Sequence, residues 1–180
     1  VRFYLMWANH DVTHLWDKRI AHIEDNIIWR AAVNRPEFET IARRLIEKYF
    51  THPSYYTIDG KPVLMIYDLN KLVSGLGGID ETTAALNWFR EQAVLAGLPG
   101  LHLQLTSWGA NRLNLTGADA DAAPRDIIQR LGFDSQTHYQ MVHFTPIDRD
   151  YAEIIPDMVA EWALMDKMYD IPYFPHVSIG

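Results

Sequence analysis

The sequence predicts an α/β fold, an incomplete (β/α)8 TIM barrel of about five β-α units, and three observations carry that reading. Short apolar runs alternate with amphipathic stretches of helical period along the chain. The run Val63-Leu64-Met65-Ile66-Tyr67 is continuously apolar rather than alternating, as a strand covered on both faces should be. The glycine fingerprint that follows the first strand of a doubly wound sheet is missing. At 180 residues the chain falls short of the roughly 250 of a complete barrel, so residues 1–180 are expected to be part of one barrel domain.

The first strand is expected at residues 3–7, Phe-Tyr-Leu-Met-Trp. Residues 18–35 fit no clean period and read as an inserted loop with one strand-like piece, Ile27-Ile28-Trp29. A helix should start near Pro36, which suits a first turn, with Phe38, Ile41, Leu45, Ile46 and Tyr49 on its inner face. Asp59-Gly60-Lys61-Pro62 is a turn leading into the apolar strand 63–67. Gly75-Leu76-Gly77-Gly78 reads as a flexible loop over the barrel mouth. Asp80 should cap the next helix, which turns Leu86, Phe89 and Ala93 inward and ends before Gly97. A strand over 101–106 follows, then a helix from about Pro124 to Leu131 stopped by Gly132, and a short strand within 133–139. Asp150 caps a long helix with Ile155, Met158, Trp162, Met165 and Tyr169 inward, and 174–180 reads as a last strand, centred on 177–179.

Composition narrows the function. Apolar residues at 48% and charged residues at 22% describe a globular chain, and aromatics at 12%, six of them Trp, are on the rich side. A formal charge of -7 argues against nucleic-acid backbones and anionic membrane surfaces as partners. Cysteine is absent, which removes disulfides, thiolate metal sites and a cysteine nucleophile. No apolar run has the length of a membrane span, and no signal peptide is visible. The opening Val1-Arg2-Phe3-Tyr4-Leu5 already reads as strand, so any export signal is expected elsewhere.

Polar groups recur at the carboxyl ends of the expected strands, where parallel α/β sheets place their ligands. They are Trp7, Asn9, His10 and Asp11 after the first strand, then Tyr67 and Asp68, then Gln104, Ser107 and Trp108, then His138 and Tyr139, and finally His176 and Ser178. Indole and phenol rings beside amides and carboxylates offer what a sugar needs, a flat apolar platform and partners for hydroxyls. Trp7, Asn9, His10, Asp11, Tyr67, Asp68, Gln104, Trp108, Tyr139 and His176 are therefore the expected substrate-binding residues, with Asp11 and Asp68 as possible catalytic contributors. Taken alone, Trp7 and Trp16 also read as core residues and Asp68 as the cap of a following helix. His10 and His14, four apart, have the spacing of a metal pair, but no second-helix carboxylate completes it, and neither a metal nor another cofactor is expected. Ser107-Trp108-Gly109 lacks the pattern of a nucleophile elbow. Asn114-Leu115-Thr116 matches a glycosylation acceptor, a motif that recurs by chance.

The strand Phe3-Tyr4-Leu5-Met6-Trp7-Ala8-Asn9 resembles the Trp-Ala-Asn strand of WbsX-type proteins, relatives of glycoside hydrolase family 99. The segment from Tyr49 through His52-Pro53-Ser54-Tyr55 and Ile58-Asp59-Gly60-Lys61-Pro62, with Ile66-Tyr67-Asp68 after it, is similar to that group's helix, His-Pro-x-Tyr, Ile-Asp-Gly-Lys-Pro and strand. The resemblance covers most of the chain. It implies a (β/α)8 barrel acting on α-linked glycans in the manner of an endo-α-mannosidase or mannanase, and favours a periplasmic or secreted setting. Two other readings stand beside it: a glycosyltransferase or polysaccharide-assembly protein of the WbsX type, and a non-catalytic glycan-binding module. Two departures matter. His10-Asp11-Val12 stands where many relatives carry Glu-Asn-Trp, and the family's paired glutamates, in a late Asn-Glu-Trp-x-Glu-Gly segment, have no counterpart here. Residues 1–180 alone are therefore expected to bind glycan without cleaving it, since glycoside cleavage normally needs two carboxyl groups.

Overall fold

A computed structural model describes residues 1–14, 17, 19–20, 22, 27–107, 113 and 119–177. Its centre is a parallel sheet of β1 (Leu5–Trp7), β5 (Lys61–Ile66), β6 (His102–Thr106), β7 (Ser135–Thr137) and β8 (Tyr173–Phe174), adjacent in that order. All four pairings are parallel, and each new strand joins the same edge with no reversal of direction. A short β4 (Thr57–Ile58) adds antiparallel to β5, and a separate hairpin pairs β2 (Val12–Thr13) with β3 (Ile27–Trp29). The parallel strands expected near residues 3–7, 63–67 and 101–106 are all present.

The helices form where local signals start and stop them. Helix α1 (Arg35–Leu45) opens with Asn34, whose side chain accepts from Glu37 N–H while the Glu37 carboxylate accepts from Asn34 N–H. Helices α2 (Leu69–Leu76) and α3 (Ile79–Leu95) follow β5. Helix α4 (Pro124–Leu131) ends at Gly132, and α5 (Tyr151–Met165) is capped by Asp150 through Ala152 N–H. Between β4 and β5, Ile58 faces Lys61 across a two-residue turn of Asp59 at φ 51° and Gly60 at φ 78°. Positive φ at both positions is the type I′ hairpin that Asp-Gly favours.

The sheet has two chemically different faces. Leu64, Ile66, Leu103 and Leu105 point into one continuous core with Phe38 and Ala42 of α1, Leu72 of α2, Leu86 and Phe89 of α3, and Ile127, Ile128 and Leu131 of α4. Helix α5 lies on this side too, since Gln136, paired with Leu105, donates its amide N–H to Met165 O. The opposite face carries Met6, Met65, Gln104 and Ser135 in one register row and Thr106 and Thr137 in the next. Its polar groups bond across strands: His102 Nε2 meets Ser135 Oγ at 2.7 Å, and Gln104 donates to Ser135 Oγ at 3.2 Å. The molecule is thus an α/β fold with a mostly parallel central sheet, one face packed by helices and the other carrying buried polar side chains among the described residues.

Five expectations need correction. The run Gly75-Leu76-Gly77-Gly78 is no loop: Gly75 and Leu76 close α2, Gly77 is its left-handed C-cap and Gly78 precedes α3. Gly75 is required by close approach, because a Cβ there would stand 2.6 Å from Val33 O. Asp80 is not a cap; it sits in the first turn of α3 and pairs with Arg130 of α4 at 2.7 Å. After α1 the chain widens into a π-helical stretch, Ile46–Phe50, which turns Phe50 inward and leaves Tyr49 exposed. In α5 Ile154 is buried and Ile155 exposed, and both sit within one helical step of the stripe through Met158, so periodicity cannot choose between them. The last strand is Tyr173–Phe174; Val177 is exposed beyond it, and residues 178–180 lie outside the described ones.

Candidate functional site

The carboxyl ends of β1, β5, β7 and β8 carry a run of rings. The His10 ring stands 5.2 Å from Tyr67, Tyr67 stands 5.0 Å and edge-on to Tyr139, and Tyr139 stands 6.4 Å from His176. Each ring comes from a different strand end, so the parallel sheet is what brings residues 10, 67, 139 and 176 into one arc. Tyr67, Tyr139 and His176 are half-buried and His10 is exposed. Burial raises the Tyr67 phenol above its ordinary value, with Tyr139 and Asp68 adding to the effect, so it stays neutral and able to donate.

Beside the arc lies a clamp. Asn9 is 3% exposed; its Nδ2 donates to Asp68 O at 2.7 Å and its Oδ1 accepts from Asp68 N–H at 2.8 Å. The amide thus reproduces a ladder rung beyond the point where β1 and β5 stop pairing. Asp68 in turn caps α2, its Oδ1 accepting from Lys71 N–H at 2.9 Å. Two residues past Asn9, Asp11 Oδ2 accepts from Lys71 Nζ at 2.6 Å and Asp11 Oδ1 from Ala31 N–H at 2.9 Å. The bond from Lys71, then that from Ala31, holds the Asp11 carboxyl below its ordinary range. Asp11 is therefore an ionised anchor tying the segment after β1 to α2 and to the chain after β3. It is poorly suited to give up a proton as a general acid.

The remaining expected residues fall elsewhere. Trp7 pairs with Ile66 and turns to the helical side, its ring 6.1 Å from Phe38. Gln104 is 4% exposed within the sheet's polar face, where its Oε1 accepts from Tyr4 OH at 3.4 Å. Trp16 and Trp108 lie outside the described residues. His10 and His14 do not share a helical face, since Val12–Thr13 between them is a strand. No group of three or more His, Cys, Asp or Glu among the described residues could hold a metal ion. An open groove of about 580 Å³, lined by Val12, Thr13, His14, Asp17, Arg19 and Ile28, sits beside the β2–β3 hairpin and includes none of the four rings.

Sequence reasoning missed Lys71, whose signal was the Leu69, Leu72, Val73 and Leu76 periodicity obscured by the glycines that follow it. It named His138 as a strand-end residue without making it part of the site. His138 is 4% exposed, and neither of its ring nitrogens has a hydrogen-bond partner among the described residues; Thr106 Oγ1, at the end of β6, is likewise buried and unpartnered.

A family model described as "Glycosyltransferase WbsX" matches residues 1–173. No curated protein and no solved structure matches the chain.

Proposed function

This chain belongs to the WbsX family, and from that premise we propose that it takes an α-linked glycan across the ring arc of a (β/α) barrel that hydrolyses it. The observation that carries the reading is the arc itself: His10, Tyr67, Tyr139 and His176 are gathered from four strand ends into one row. Aromatic faces there would stack on the apolar faces of successive sugars, with phenol and imidazole groups to meet hydroxyls. The barrel is supported by the unreversed strand order and by the packing of α1 to α4 on one face of the sheet. Asp11 is engaged by Lys71 and Ala31, and Asp68 caps α2, so the two carboxyl groups of a glycosidase would be supplied by other residues. Asn9 and Asp11 then serve by fixing the strand ends on which the rings stand.

The family's name favours a second reading, sugar transfer from an activated donor. One assay separates them. A protein extended past residue 180 is incubated with α-mannan and bacterial polysaccharides, and separately with nucleotide sugars and acceptor glycans. Hydrolysis predicts new reducing ends with no nucleotide sugar present. Residues 1–180 alone are expected to be slower by at least about 10²–10⁴-fold, the contribution of one general acid or base. Release of nucleoside diphosphate with no glycan cleavage would replace this reading with the transferase.

A further inference from the structure

The His138 and His143 imidazoles lie together where β7 ends. His138 directly follows β7, is 4% exposed, and has no hydrogen-bond partner on either ring nitrogen among the described residues. Its ring is edge-on to Phe144 at 4.5 Å and 5.7 Å from the His143 ring. His143 belongs to the 3-10 turn Met141–His143, and His176 follows β8. A buried neutral imidazole without partners is tolerable, whereas the imidazolium in the same place would be a buried charge with no hydrogen-bonded partner among the described residues. The titratable groups that act on His138 are His143 and His176, and both oppose a positive charge.

We propose that His138 is an acid-sensitive latch: the neutral ring holds the end of β7 against the Met141–His143 turn and Phe144, and proton uptake releases it. Tyr139 is the next residue and faces both Tyr67 and His176, so release would disperse half of the ring arc. That effect on a ligand rests on the glycan-binding reading; the latch itself does not.

The sign follows from linkage. Burial, then His143 and His176, lower the His138 pKa from 6.5 to about 4 in the folded chain. Between those values the unfolded chain binds the proton more readily, so stability is full above about pH 6.5 and falls as pH drops towards 4. Burial lowers His143 and His176 as well, which adds in the same direction.

The test measures denaturant unfolding of this chain and of His138→Phe from pH 7.5 to 5, above most carboxylate titration. One proton taken up on unfolding raises the unfolding constant by up to about tenfold per pH unit. The wild type is expected to show such a rise, and His138→Phe to lose nearly one proton of it. Equal slopes in the two proteins would overturn the latch. Should His138→Phe fail to fold, His138→Gln and an NMR titration of the wild-type His138 ring decide it; a ring titrating near 6.5 in the folded chain overturns the proposal. Glycan titration at pH 7.5 is a separate arm, and absence of binding there would count against the glycan reading while leaving the slopes to judge the latch.

Discussion

Phe89→Ala is expected to lower the unfolding free energy by about 3–5 kcal/mol, the usual range for truncating a fully buried phenylalanine. Phe89 is 2% exposed on α3, and its ring lies 5.9 Å and edge-on to Phe38 of α1 and 6.0 Å and stacked on Phe50. Removing it would empty the point where α1, the π-helical stretch and α3 meet the leucines of β5 and β6. The neighbours cannot close the gap easily, because Ala85, Leu86 and Ala93 on the same helix are already fully packed. Equilibrium denaturation of wild type and variant measures the difference. A loss below about 1 kcal/mol would mean that the three aromatic rings do not form the core described.

Asn9→Ala is expected to remove about 2–4 kcal/mol, more than an exposed binding residue would. Two hydrogen bonds are lost, each with a net contribution of about 1 kcal/mol, and Asp68 N–H and C=O are left partly buried without their partners. Because Asp68 also caps α2, the loss should spread to that helix and to the Lys71–Asp11 pair. Hydrogen exchange would show it as faster exchange at Lys71 N–H and at the β1–β5 ladder. A variant that melts like wild type while binding glycan more weakly would instead assign the amide to the ligand.

Much of the fold can be read from local signals. Helix α4 lies between Pro124 and Gly132, and α5 starts at Asp150, because starts and stops are written in the few residues that make them. Strand β5 shows as an apolar run because both its faces are buried, whereas β6 alternates Leu103 and Leu105 with His102, Gln104 and Thr106, which are buried too. Features decided by distant contacts are not legible in this way. Gly75 looks like loop punctuation until Val33 is found against it. The π-helical widening that exchanges Tyr49 for Phe50 leaves no periodic trace in so short a stretch. The same division runs through the candidate site. Proximity to a strand end identified Tyr67, Tyr139, His10 and His176, which meet, but it also gathered Trp7 and Gln104. Trp7 is turned to the helical face and Gln104 lies two residues inside the end of β6, and both placements follow from register. The side-chain partners of Asn9 and Asp11 come from segments about 20 to 60 residues away, and no spacing in the sequence announces them, whereas the cap that Asp68 makes to Lys71 is local and legible.

Calorimetric titration of an α-linked oligosaccharide tests most directly whether the ring arc binds glycan. Wild type is compared with Tyr67→Ala, which removes the ring lying between His10 and Tyr139, and with Trp29→Ala, an exposed indole on the β2–β3 hairpin outside the arc. Loss of one stacking ring is expected to weaken binding at least about tenfold, equivalent to about 1.4 kcal/mol. Trp29→Ala should bind like wild type, and both variants should still unfold in one cooperative transition, which separates lost binding from lost folding. Tyr67→Ala binding as tightly as wild type, or Trp29→Ala losing the tenfold instead, would contradict the account.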